Sequence, residues 1–151
     1  MHNGQIGGFG KMRKAVDMLV ADELYEYRRG ATDSEALFLI ALGFGLEDDP
    51  IGAMSRAVVH LTQMATQTGE TPYLRLTACW SDGRRLFAAR AASDEVAPSL
   101  YIRSNETGTL IVSEPLDDAT ADWEPIGDNE CVIVEDGRID RKTFSLVRLA
   151  A

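Results

Sequence analysis

The chain has 151 residues, 45% of them hydrophobic and 26% charged, which is one domain's worth of ordinary globular sequence and not the composition of a disordered chain. Its formal net charge of −9 argues against nucleic acid and against anionic membrane surfaces as partners, because both need a basic face. No apolar run approaches the roughly 20 residues that span a bilayer, the first residues lack the charged and apolar regions of a signal peptide, and two cysteines without a disulfide-rich pattern predict a reducing, cytoplasmic location.

The first ten residues, Met1 to Gly10, contain four glycines and one asparagine. That composition predicts a loop whose backbone takes positive φ and passes close to something. Asn3 and Gly4 place a side-chain amide and a backbone N–H side by side. Two such donors aimed at one point can stabilise an oxyanion in acyl transfer. The alternative is a flexible leader ending in a turn, since Asn-Gly is first of all a turn dipeptide. Residues 11 to 29 read as helix. Met12, Val16, Leu19 and Val20 recur at helical spacing, and Leu24, Tyr25 and Tyr27 continue it after a break. Gly30 is the predicted stop. Arg28 and Arg29 fall in the last turn, where cations suit the helix dipole and where solvation is expected; binding of an anionic group is the other reading.

Thr32 and Glu35 have the spacing of a capping box, so a helix is predicted to start there and run through Leu42. It is apolar on nearly every side and therefore expected to be buried. Asp33 is a carboxylate that complements the positive end of that helix dipole. Asp49 and Pro50 open a second helix as N-cap and first helical residue, with Ile51, Met54, Val58, Leu61 and Met64 on its buried face. His60 lies near this pattern and is assigned no role. With His2 and His60 as the two histidines and no Cys-x-x-Cys, no structural zinc site is expected.

From Thr71 the period changes to two. Leu74, Leu76, Ala78 and Trp80 alternate with Tyr73, Arg75, Thr77 and Cys79. Asp82-Gly83 signals a hairpin into a strand over Leu86 to Arg90. Strands are predicted at Leu100 to Arg103 and Leu110 to Val112. A further hairpin joins Cys131 to Val134 through Asp136-Gly137 to Ile139 onward. Ser113 beside Glu114 lacks the glycine-flanked pattern of a nucleophile elbow and is read as structural. The acidic residues Asp117, Asp118, Asp122 and Glu124 read as hydrated loop charge, with a cation site as the alternative. Cys79 alternates within a strand with no basic partner in sequence, so it is not expected to be a nucleophile. Helices followed by short strands with tight turns predict an α+β fold in a single domain, helices packed on one face of an antiparallel sheet.

The run His2-Asn3-Gly4-Gln5-Ile6-Gly7-Gly8-Phe9 resembles the His-Asn-Gly segment of class II glutamine amidotransferases, which are N-terminal-nucleophile hydrolases. Three further places agree in the same order: Gly30 to Glu35, Thr77 to Leu86 around Ser81-Asp82-Gly83, and Ile111 to Leu116 followed by Trp123. The chain is similar above all to the small stand-alone bacterial branch of that family. The resemblance implies a four-layer αββα sandwich of two antiparallel sheets with helices outside. It implies that glutamine loses its side-chain amide as ammonia, that the Asn3 side chain and the Gly4 N–H stabilise the oxyanion, and that Asp33 holds the substrate's α-amino group. It implies no metal and no organic cofactor. The family's nucleophile is an N-terminal cysteine with its own α-amine as base, and a segment before the His-Asn-Gly loop carries an arginine for the substrate carboxylate. Here the cysteines are Cys79 and Cys131.

The expectation is therefore the C-terminal part of an amidotransferase type 2 domain, inactive as these 151 residues. Its partner is glutamine, or a γ-glutamyl compound if the full-length form is a γ-glutamyl amide hydrolase. The rival is a non-catalytic binding or assembly subunit that keeps the substrate pocket. The sheet face away from the helices needs cover: from a segment outside this chain, or from a second copy in a homodimer, unless the chain is a remnant of reduced stability.

Overall fold

The computed structural model describes residues 1–94, 96–118 and 122–146. Two antiparallel sheets and four helices make it an α+β fold. The glycine-rich N-terminus is not a loop throughout: His2–Ile6 is a strand, β1, paired antiparallel with β2, Leu74–Ser81. Tertiary pairing overrides the poor strand propensity of His-Asn-Gly-Gln-Ile. The expected positive φ is present at Gly4 (150°) and Gly8 (66°). A Cβ on Gly4 would lie 1.9 Å from the Arg75 carbonyl oxygen and 3.0 Å from His2 Nε2, so only glycine lets this strand close on β2.

The predicted helix over 11–29 is two pieces. Helix α1, Phe9–Asp17, follows the left-handed Gly8 and buries Met12 and Val16; α2, Asp22–Tyr25, starts after an extended Ala21. Helix α3, Asp33–Gly43, is capped by Thr32, whose hydroxyl accepts the Glu35 N–H at 3.3 Å. The reciprocal half of the box does not form. Glu35 instead accepts the N–H groups of Arg29 (2.7 Å) and Gly30 (2.8 Å) and the Arg28 guanidinium (2.6 Å). Arg28 is correspondingly not a solvated helix end. Its side chain is 5% exposed and bridges Glu35 to Asp17 (3.1 Å), fastening α1 to α3. Helix α4, Pro50–Thr66, begins as predicted, with Asp49 accepting the Gly52 N–H at 3.0 Å.

Strands β3 (Leu86–Ala92), β4 (Tyr101–Asn105), β5 (Gly108–Val112), β6 (Glu124–Pro125), β7 (Glu130–Glu135) and β8 (Arg138–Thr143) complete the fold. One sheet has the order β1-β2-β3-β7-β8, the other β5-β4-β6. The Asp136-Gly137 hairpin joins β7 to β8 with both turn residues at positive φ, as its sequence predicts. The four helices cover one face of the five-stranded sheet. Leu37, Ile40, Val58 and Leu61 there meet Leu74, Leu76, Phe87 and Cys131 in the main core. On the other face Ala88 and Val132 pack against Leu100, Ile102 and Ile126 of the smaller sheet and its flanks. That smaller sheet supplies cover for the β3–β7 half of the second face, which sequence reasoning left bare. Three of the four layers of an αββα sandwich are thus in place among the described residues. The two sheet edges differ: β8 carries Arg138, Asp140, Arg141 and Lys142, charges that deter further pairing, whereas β1 carries none.

Candidate active site

Of the three predicted site residues, Asn3 and Gly4 lie on the edge strand β1, and Asp33 of α3 bonds to that strand at Ile6. Side chains alternate along a strand. Ile6 is buried among the helices and His2 reaches Ser34 of α3, so Asn3 and Gln5 take the opposite face, beside their register partners Thr77 and Arg75. Backbone groups alternate as well. Met1 exchanges both bonds with Cys79, and the Gly7 N–H donates to the Tyr73 carbonyl. The N–H groups of Gly4 and Ile6 therefore point away from β2, out of the sheet edge. The Asn3 carboxamide is exposed and makes no hydrogen bond among the described residues, so both donors of the Asn3-Gly4 pair are unspent.

Asp33 closes the helical side of this edge. Its Oδ2 accepts the Ile6 N–H at 3.0 Å, and its Oδ1 accepts the Ser34 N–H at 2.8 Å. One carboxylate thus fixes the start of α3 against the edge of β1. A carboxylate has about four acceptor sites, so capacity remains for an incoming ammonium group. Ser34 Oγ lies 2.8 Å from His2 Nδ1. Burial lowers the pKa of His2, opposed by the Asp33 charge and by the Arg75 carbonyl. The imidazole is therefore neutral near pH 7.

Sequence reasoning missed two supporting residues. Thr77 is a polar side chain only 3% exposed, and its hydroxyl donates to the Asn3 carbonyl at 3.0 Å. It sets the backbone from which the Asn3 side chain projects. Ser34 links His2 to the Asp33 segment. A threonine at mid-strand, on the polar phase of an otherwise apolar run, was the available signal for Thr77. Nothing in the sequence marked Ser34, because its partner is 32 residues away.

Neither cysteine is activated. Burial raises the Cys79 thiol, and burial pushes Cys131 up to about 12, whereas a nucleophilic thiol needs a lowered value. Two of the four acidic residues near Trp123 have cation partners: Asp117 bonds Arg103 at 2.7 Å and the Trp123 indole at 3.0 Å, and Glu124 pairs with Arg141 at 2.9 Å. No group of three metal-ligating side chains occurs among the described residues, and no described helix is long and apolar enough to cross a membrane.

The fold is shared with solved proteins. A glutamine aminotransferase class-II domain protein from Silicibacter pomeroyi superposes at a TM-score of 0.93 with 45% identity, over 98% of this chain and 67% of that one. Glutamine phosphoribosylpyrophosphate amidotransferase from B. subtilis matches at a TM-score of 0.65 and 14% identity, over 96% of this chain and 28% of that one, a likeness of fold alone. Neither protein-family models nor curated proteins give a match.

Proposed function

Because the chain belongs to the class II glutamine amidotransferases, we propose that it forms the glutamine-binding and oxyanion-stabilising part of an enzyme that converts the glutamine side-chain amide to glutamate and ammonia. The observation that carries this reading is the hydrogen bond from the Ile6 N–H to Asp33, which puts that carboxylate at the open edge of β1. The outward N–H of Gly4, the unspent carboxamide of Asn3 and the carboxylate of Asp33, seated on the neighbouring Ile6 N–H, surround one strand edge. Asp33 takes the substrate's ammonium group. That contact aims the γ-carboxamide along the strand toward Asn3 and Gly4. When a thiol sulfur adds to the carboxamide carbon, its oxygen becomes an oxyanion between the two donors; losing one such donor costs about 10²–10³ in rate. The C–N bond then breaks, the nitrogen leaves as ammonia, and water releases glutamate from the thioester.

The attacking thiol is neither Cys79 nor Cys131, since burial raises both. The 151-residue polypeptide by itself therefore binds glutamine and releases no ammonia. Calorimetry with the purified chain tests the binding half. L-Glutamine is expected to bind, and Asp33→Asn to weaken it at least tenfold. N-acetyl-L-glutamine, whose amine is blocked, should bind wild type as poorly as glutamine binds that variant. Equal affinity for the two compounds would contradict the role of Asp33. Ammonia release that disappears in Asn3→Ala would overturn the exclusion of the two cysteines.

A further inference from the structure

One cavity is larger and more apolar than glutamine requires. It lies between the helical layer and the end of β2, with a volume of about 550 Å³, inside the roughly 300–1,000 Å³ range of ligand sites. Leu37 and Phe38 of α3, Met54 of α4, Trp80 and Leu86 form its apolar walls. His2 and Ser34 line it too. They adjoin Asn3 and Asp33 in sequence and lie 2.8 Å apart, so β1 and α3, which carry the proposed γ-glutamyl site, also bound the cavity.

Two features of the walls ask for an occupant. Phe38 is 40% exposed on a helix whose neighbouring side chains are buried. Trp80 is only 7% exposed and stacks on Phe87 at 5.5 Å, yet its Nε1–H is buried with no acceptor among the described residues. A buried donor without an acceptor is unfavourable until one arrives. Glutamine itself makes no use of these walls, because its departing nitrogen carries only hydrogen.

We infer that the site takes γ-glutamyl amides whose amide nitrogen bears an aromatic substituent, which lies against Phe38 and Trp80 and offers an acceptor to the Trp80 indole N–H. The inference rests on the reading that Asn3, Gly4 and Asp33 hold the γ-glutamyl group. Flat aromatic surface suits these walls because it removes apolar area from water on both partners.

The test compares three probes on the 151-residue chain by calorimetry: L-glutamine, γ-L-glutamyl-4-nitroanilide and 4-nitroacetanilide. The γ-glutamyl anilide is expected to bind at least tenfold tighter than glutamine. Phe38→Ala should remove that advantage while leaving glutamine affinity unchanged, and Phe38→Leu, which keeps an apolar wall, should retain most of it. In ¹H–¹⁵N spectra the Trp80 indole signal, assigned through Trp80→Phe, should shift with the anilide and not with glutamine. If glutamine binds and the anilide binds no tighter, the inference falls while the glutamine site stands. If neither binds, both fall. If 4-nitroacetanilide binds as tightly as the γ-glutamyl anilide, the cavity is independent of the γ-glutamyl site and the inference is overturned.

Discussion

At the scale of single residues, the site depends on what Gly4 lacks. Its φ is 150° and a methyl group there would lie 1.9 Å from the Arg75 carbonyl oxygen, which leaves no room for alanine without parting β1 from β2. Gly4→Ala is expected to cost about 3 kcal/mol or more and to abolish glutamine binding, read by chemical denaturation and calorimetry together; a neutral Gly4→Ala would show that the strand pairing is not required. His2 adds a pH dependence. Its folded pKa lies below the ordinary 6.5 because burial disfavours the imidazolium. The unfolded chain therefore binds that proton first. The stability contributed by neutral His2 is complete above about pH 6.5 and is lost as pH falls through the lower folded value. Denaturation midpoints measured between pH 7 and 5 should fall less steeply in His2→Asn than in wild type.

At the scale of elements, the order of helices and strands was legible because each carries its own period and its own punctuation. Thr32, Asp49-Pro50, Asp82-Gly83 and Asp136-Gly137 mark boundaries through local chemistry alone. What was not legible is whatever depends on a distant partner. Residues His2 to Ile6 look like a loop until Leu74 to Ala78 pair with them. Arg28 looks like a solvated cation until Asp17 and Glu35 enclose it. That enclosure has a measurable consequence. Arg28→Met leaves Glu35 without the guanidinium and Asp17 with its longer Arg13 contact at 3.8 Å, the two carboxylates being 26% and 19% exposed. A loss of about 2 kcal/mol is expected, below the ~3–5 kcal/mol of a fully buried pair. Lysine should rescue it poorly, because it lacks the planar fork that reaches both partners. Equal stability of Arg28→Met and wild type in urea titrations would show the bridge to be incidental.

At the scale of the whole molecule, two cores hold the sheet from either side. The helical core is the larger, and the parts of it from α1, α4 and β2 follow the periodicity of those elements. The second, around Ala88, Val132, Ile102 and Ile126, was not, because the small sheet's strands carry no sign of which face they cover. Ile102 is 1% exposed at its centre, so Ile102→Ala should cost about 2–5 kcal/mol and lower the cooperativity of thermal unfolding. A loss under ~0.5 kcal/mol would mean that the small sheet contributes little to the fold. Asn3, Gly4 and Asp33 were proposed from the sequence through their resemblance to a family. Their supports, Thr77 and Ser34, needed the structure, since each acts across a long stretch of chain.

The central claim is that one strand edge binds the substrate, and backbone-resolved NMR tests it most directly. L-Glutamine titrated into the ¹⁵N-labelled 151-residue chain should shift the Asn3 side-chain amide and the backbone signals of Gly4 and Ser34 together, saturably, and Asp33→Asn should suppress all three. Saturable shifts confined to other elements, or none at these residues, would contradict the account.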